Sequence, residues 1–297
     1  MSKTLVVTHV MPLELEMFER FISYYKNCFK YLDPSTDDVT MYVTLNLNPK
    51  LTDWDKSELK PQWFIDRFTE SMSGIRSHLQ IIVDESVWGT TQQKRDVSFL
   101  DYDYFIFVDP DISVHEQQLK LQIMAAEQIS SESDFFVLSP NIPRWWDDTW
   151  DVVVHPNNRN DELGKFRLKQ TFIDTFTQNP DEIGIRRIGE FKFGCGMHTL
   201  YSKKFWETFR IPEEFGGYGS EDTFGMIAST ESVKFGIDVR QYVLDGLYIT
   251  EDKDEAHREP SYKDKISVFR VKEDGKAKSM EIMPMVITRL GNSLLNK

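Results

Sequence analysis

The chain has 297 residues, 40% hydrophobic and 28% charged, the balance of a folded domain large enough to bury a real core. Lys and Arg number 35 against 48 Asp and Glu, and the net charge of −13 repels phosphate backbones, so nucleic acid is disfavoured as a partner. Two cysteines, Cys28 and Cys195, argue against a disulfide framework or a structural zinc site; no apolar run approaches the roughly 18 residues of a membrane span, so a cytoplasmic protein is expected.

Short apolar runs alternate with amphipathic ones. Residues 4–10, TLVVTHV, read as a buried strand, 13–32 as a helix begun by Pro12, and 39–47 as a second strand. A helix is expected over 61–79, a strand over 80–86, a polar segment over 92–103, and a strand over 104–111. A helix at about 115–130 and a strand at 134–140 complete the regular part. Alternation of this kind implies an α/β fold with a mostly parallel, Rossmann-like sheet covered by helices on both faces. Ligands of such sheets lie beyond the carboxyl ends of the strands. The polar ends here are Thr8-His9, Asn46 to Asn48, Asp84 to Ser86 and Asp109 to Asp111.

Beyond residue 141 the pattern becomes irregular. Residues 143–156 hold Trp145, Trp146 and Trp150 among aspartates, and the flat rings suit a sugar-stacking wall or the packing of an irregular segment. Residues 189–209 read as a glycine-rich strand feeding a helix, and 213–230 as a glycine loop opening a helix with Ser220 as N-cap. The last part, 261–297, holds a strand-like ISVFRV and a terminal helix without assignable chemistry.

Of four Asp-x-Asp triplets, only Asp109-Pro110-Asp111 directly follows a fully apolar run, Phe105 to Val108. In extended backbone, residues two apart point the same way, so both carboxylates are expected on one side. Oxygen ligands of this kind suit Mg²⁺ or Mn²⁺, which takes one or two carboxylates together with substrate phosphates. A strand-end turn with solvated aspartates is the plainer reading of the same residues. A second acidic pair, Glu221-Asp222, follows the glycines of FGGYGSED. Adjacent helical residues diverge by about 100°, so one carboxylate can face a substrate while the other anchors the loop. The alternative is a helix start favoured by the dipole.

Together, DYDYFIFVDPDIS (101–113) and FGCGMHTLYSKKFWETFRIPEEFGGYGSED (193–222) resemble the GT-A glycosyltransferases, most closely the beta-1,4-galactosyltransferase and chondroitin-synthase-like group. The resemblance implies a single GT-A domain with a nucleotide-sugar half (1–114), an irregular acceptor-side and catalytic half (115–260) and a C-terminal extension (261–297). It implies a metal-dependent, inverting transfer from a nucleotide sugar, a UDP-sugar above all, to a glycan or other hydroxyl acceptor. Asp109 would contact the ribose and, with Asp111, the Mn²⁺ or Mg²⁺; Asp222 would be the general base and Glu221 would orient the acceptor. Tyr218, beside Gly219, falls at the acceptor platform, and Gly194 and Gly196 would let the backbone approach the donor sugar. Thr8, His9 and Asp84 are nucleotide candidates, Lys94 and Arg95 diphosphate or sugar contacts, and Trp146 a substrate contact. The family's third metal ligand is a histidine, a role that falls to His257 here, a few residues late; the alternatives are Asp252, almost in register, or no third protein ligand. Gly216 replaces a family tryptophan and Thr223 a family acidic residue. The other readings are a nucleotidyltransferase, which lacks its usual loop after the first strand here, a non-catalytic glycan-binding module, and a phage-type DNA-base glycosyltransferase.

Overall fold

A computed structural model describes residues 2–48, 61–83, 89–141, 180–188, 197–251 and 267–295. The first strand, β1 (Lys3–Val10), has no polar alternation and buries every residue after Lys3, as a central strand covered on both faces must. It is followed by α1 (Leu15–Lys30), β2 (Asp38–Asn46), α2 (Pro61–Ser71), β3 (Ser77–Ile82), α3 (Thr90–Val97), β4 (Tyr104–Val108) and a short β5 (Ile112–Ser113). Then come α4 (Gln118–Ser130), β6 (Phe136–Asn141), β7 (Gly184–Ile188), β8 (His198–Ser202), α5 (Lys203–Thr208), α6 (Glu221–Ser232), β9 (Arg240–Tyr248), β10 (Thr250–Glu251) and α7 (Ser267–Leu295).

Eight strands form one sheet in the order β3-β2-β1-β4-β8-β6-β9-β7. The pairs β1–β2, β1–β4, β2–β3 and β6–β9 are parallel, while β8 runs antiparallel to β4 and β6, and β7 to β9. The mostly parallel α/β architecture expected from the sequence is therefore present. Strands from the 1–114 half and from the 115–260 half share this sheet, meeting at β4 and β8. One face is covered by α1, α2 and α4 through Phe18, Phe21, Phe64, Phe68, Leu119 and Ile123. The other is covered by α5, α6 and α7 through Phe205, Trp206, Phe224, Met283 and Val286, with Val97 of α3 among them.

The element boundaries differ from expectation in several places. The helix expected over 61–79 stops at Ser71, because the chain turns through Gly74 at φ +87°, a conformation glycine adopts without strain. β3 therefore begins at Ser77, and it lies at the sheet edge, where its side chains are only partly covered. The polar segment 92–103 opens inside α3, and β4 ends at Val108 rather than 111. The strand-like alternation near 266–271 belongs, from Ser267 on, to α7: downstream apolar residues at helical spacing, Ile282, Met283, Val286, Ile287 and Leu290, dock on the second core. Residues 142–179, with the tryptophan-rich stretch, lie outside the described residues.

Candidate functional site

The four parallel strands β1 to β4 end at Val10, Asn46, Ile82 and Val108, which places their carboxyl ends along one edge. The first acidic pair follows β4 directly. Asp109 is exposed and its N–H donates to the Met197 carbonyl at 2.8 Å, tying the strand end to the segment entering β8. Pro110 and Asp111 form a turn, and Asp111 is 8% exposed. The expectation of an extended Asp-Pro-Asp with both carboxylates on one side is thus corrected. Proline fixes its own φ but also suits a turn, and the chain turns here, leaving one carboxylate exposed and the other buried. Just past the turn, β5 pairs antiparallel with β10, Ser113 opposite Thr250 and Ile112 opposite Glu251. β10 therefore runs beside the segment that follows the Asp109–Asp111 turn.

The second acidic pair opens α6 and meets a cation from α3. Lys94 Nζ lies 3.0 Å from Glu221 Oε1 and 3.0 Å from Asp222 Oδ1. It also sits over the Phe107 ring of β4, 5.4 Å from the centroid. Glu221 accepts a second hydrogen bond at Oε2 from the Thr91 hydroxyl, at 3.0 Å. The side chains of Lys94 and Glu221 are 11% and 9% exposed, and that of Asp222 is 26% exposed. Burial alone would lower the pKa of Lys94, but Asp222 and Glu221, with Tyr201 and Asp109 further out, raise it well above its ordinary value. Burial acts upward on both carboxylates. For Glu221 this is overcome by Lys94, by the backbone at the helix start and by Thr91, and its pKa is lowered. For Asp222 burial and the neighbouring Glu221 prevail over Lys94, and its pKa is raised. The two neighbouring carboxylates thus sit in different surroundings, Glu221 held by two partners and Asp222 by one.

The rest of α3 holds the glycine loop in place. Arg95 donates from Nε to the Ile211 carbonyl and from Nη2 to the carbonyls of Pro212 and Gly216, while Nη1 donates to Gln92. Expected as a diphosphate or sugar contact, Arg95 instead anchors the 211–216 turn. The N–H of Thr91 donates to the Gly217 carbonyl at 3.0 Å. Tyr218, expected as an exposed platform, is 3% exposed, its hydroxyl 3.4 Å from His9 Nε2 and its ring against Gly89. A Cβ on Gly89 would lie 2.3 Å from that ring, and one on Gly275 of α7 would lie 2.1 Å from the Tyr218 carbonyl oxygen. Tyr218 therefore offers no ring face for stacking in this arrangement. Gly219 is likewise buried, packed on Phe215. The C-terminal extension completes the clamp, with Ser279 Oγ of α7 accepting from the Ser220 N–H at 2.8 Å. Ser220 stands at the N-cap position, but its side chain makes no cap hydrogen bond.

Thr8 and His9 do not share a crevice. β1 continues to Val10, and alternation puts Thr8 with Val6 toward the first core and His9 with Val7 toward the second. Both are buried, and the Thr8 carbonyl accepts from Gln93 Nε2 at 2.6 Å. Neither offers an open surface to a nucleobase here. His198 is a buried core histidine bonded to Tyr25 at 2.8 Å, its pKa pushed down to about 3 by burial. Burial likewise raises the Cys28 thiol to about 12, which makes it unreactive. Asp101 and Asp103, another Asp-x-Asp pair, are exposed, and Asp101 pairs with Lys3 and Lys203. Asp84, Trp146, Gly194, Gly196, Asp252 and His257 lie outside the described residues.

Among the described residues, no group of three or more His, Cys, Asp or Glu side chains gathers as a metal cluster. Asp109 and Asp111 supply two carboxylates at a strand end, a number that suits Mg²⁺ or Mn²⁺ when substrate phosphates and water complete the shell. Sequence reasoning missed Thr91, Trp206, Gly275 and Ser279. Trp206 Nε1 donates to the Lys94 carbonyl at 3.1 Å and so fixes the end of α3 that carries the ammonium. The signal for α3 was present: Thr91, Lys94, Arg95 and Ser98 fall at helical spacing, a buried stripe made of polar residues instead of apolar ones.

No family model matches the chain, and no curated protein does. Among solved structures, it is similar to S. aureus TarS 1-349 in complex with UDP, at 12% identity and a TM-score of 0.42, over 89% of this chain and 70% of that one. The complex of the same TarS fragment with UDP-GlcNAc gives 12% identity and a TM-score of 0.42, over 92% of this chain and 66% of that one, just under two thirds of its length. Likeness at that level carries no argument about this chain's activity.

Proposed function

We propose that this chain is a metal-dependent GT-A glycosyltransferase that moves a sugar from a nucleotide sugar, a UDP-sugar first of all, to a hydroxyl acceptor with inversion. The observation that carries this reading is the partly buried Lys94–Glu221–Asp222 cluster, its ammonium over Phe107, two residues before the Asp109–Asp111 turn. An acidic strand end, then the Ser202-Lys203 helix start, then a glycine-framed acidic pair is also the order that supports the beta-1,4-galactosyltransferase and chondroitin-synthase-like group.

Asp222 is the base. Its Oδ1 is held by Lys94, its Oδ2 has no hydrogen bond among the described residues, and its side chain is 26% exposed. Raised above the ordinary aspartate value, it holds a transferred proton better than a free carboxylate does. The acceptor hydroxyl gives its proton to Asp222, its oxygen bonds to the anomeric carbon, and the bond from that carbon to the diphosphate breaks. Glu221 has both oxygens engaged and serves the loop, in place of the acceptor-orienting role the resemblance implies. Asp109 and Asp111 would hold the Mn²⁺ or Mg²⁺, which neutralises the charge of the departing diphosphate. A panel of nucleotide sugars with Mn²⁺ tests the reading. Hydrolysis or transfer from at least one of them is expected, and silence across UDP-, GDP- and CMP-sugars would remove it.

A further inference from the structure

Glu221 and Asp222 are neighbours with the same chemistry, yet the protein holds them differently. One ammonium faces both, at 3.0 Å each, so a single positive charge meets two negative ones and the cluster keeps a net charge of −1. Thr91 occupies the second oxygen of Glu221, and nothing among the described residues does so for Asp222. The Lys94 ammonium also lies over the Phe107 ring, and Trp206 holds the Lys94 backbone carbonyl.

We propose that Lys94 is the positioning residue of the base: it takes one oxygen of each carboxylate, locks Glu221 against Thr91 as a structural anion, and leaves the second oxygen of Asp222 to meet the acceptor hydroxyl. This rests on the glycosyltransferase reading above, and it gives Lys94 a role different from the diphosphate contact that its sequence position suggests. The proton budget closes within the cluster. The acceptor's proton passes to Asp222, the acceptor oxygen forms the new bond to carbon, and Asp222 returns the proton to water after the products leave. The other titratable groups facing the cluster are Tyr201 of β8 and Asp109 beyond β4, which act on Lys94, Tyr218, which faces Glu221, and Lys276 of α7, which acts on Asp222. None of them displaces Lys94 from the first contact with either carboxylate.

The test is an NMR titration of the ¹³Cγ-labelled aspartates in the metal-free full chain, for wild type, Lys94→Met, Lys94→Arg and Glu221→Gln. Removing the cation should move the Asp222 midpoint up by about one pH unit or more, and removing its anionic neighbour should move it down. Lys94→Arg should keep it near the wild-type value. UDP affinity, read by calorimetry, should change less than about threefold in Lys94→Met, since Lys94 faces carboxylates and not the donor. An Asp222 midpoint that stays put in both Lys94→Met and Glu221→Gln, or moves the same way in both, overturns the proposal. So does a tenfold or larger loss of UDP affinity in Lys94→Met. If Lys94→Met does not fold, the different responses expected of Lys94→Arg (unmoved) and Glu221→Gln (lowered) decide the matter alone. If the midpoints shift as stated while the wild type transfers no sugar, the glycosyltransferase reading falls and the charge coupling stands. Transfer with unmoved midpoints gives the reverse result.

Discussion

The two acidic pairs of this molecule are built on different plans. Asp109 and Asp111 sit on a turn that ends a buried strand, one exposed and one 8% exposed, placed by backbone that is continuous in sequence. Glu221 and Asp222 open a helix and are balanced by an ammonium from a residue 127 positions away from the first of them. The first pair depends on where one strand stops. The second depends on α3, the 211–222 loop and α7 all being in register. That difference assigns the two pairs different sensitivities: the first to the loss of a single side chain, the second to any change in the packing that seats the loop.

The largest expected effect falls on the second pair. Asp222→Asn keeps the shape and removes the base, and transfer should drop by about 10²–10⁴-fold in kcat, with Mn²⁺ affinity unchanged by calorimetry. Unchanged transfer would move the base elsewhere. Lys94→Met should then cost about 3–5 kcal/mol of stability by urea denaturation at neutral pH, because it leaves the Glu221 carboxylate and the partly buried Asp222 without their cation. The sign follows from Glu221: its lowered pKa stabilises the fold above the ordinary glutamate value, and that contribution is lost as pH falls through the folded value. The penalty of Lys94→Met should accordingly shrink in acid, as the carboxylates protonate. A constant penalty from pH 7 to pH 4 would contradict the ion cluster.

A smaller effect is expected at the clamp. A Cβ at Gly275 meets the Tyr218 backbone oxygen at 2.1 Å, so Gly275→Ala must shift α7 or the loop, at a cost of about 1–3 kcal/mol. Activity should fall with it if α7 seats the loop, and a fully active, equally stable variant would free the extension of that role. Smallest of all is Asp101→Ala, which breaks exposed pairs to Lys3 and Lys203 and should leave the urea midpoint and the activity unchanged. It serves as the control that separates one Asp-x-Asp pair from another.

The parallel sheet and the strand-end aspartates were legible because they depend on local patterns: apolar runs of strand length, then acidic residues where the run stops. The geometry of the aspartate turn was not, since Pro110 is compatible with both extended and turned backbone. The resemblance puts Tyr218 at an acceptor platform, yet Gly89 and Gly275 make the room that buries it, and both lie far away in sequence. α3 reads as a polar segment in sequence because its buried face carries Thr91, Lys94 and Arg95, and hydrophobic periodicity is blind to a polar stripe. The pairing of Lys94 with Glu221 and Asp222 is a tertiary contact that no local rule contains.

The most direct measurement of the central claim is sugar release from UDP-sugars with Mn²⁺ and with EDTA, comparing wild type with Asp111→Ala. The account predicts release that needs the metal and is lost in Asp111→Ala. Release that proceeds equally well in EDTA and survives Asp111→Ala would contradict it.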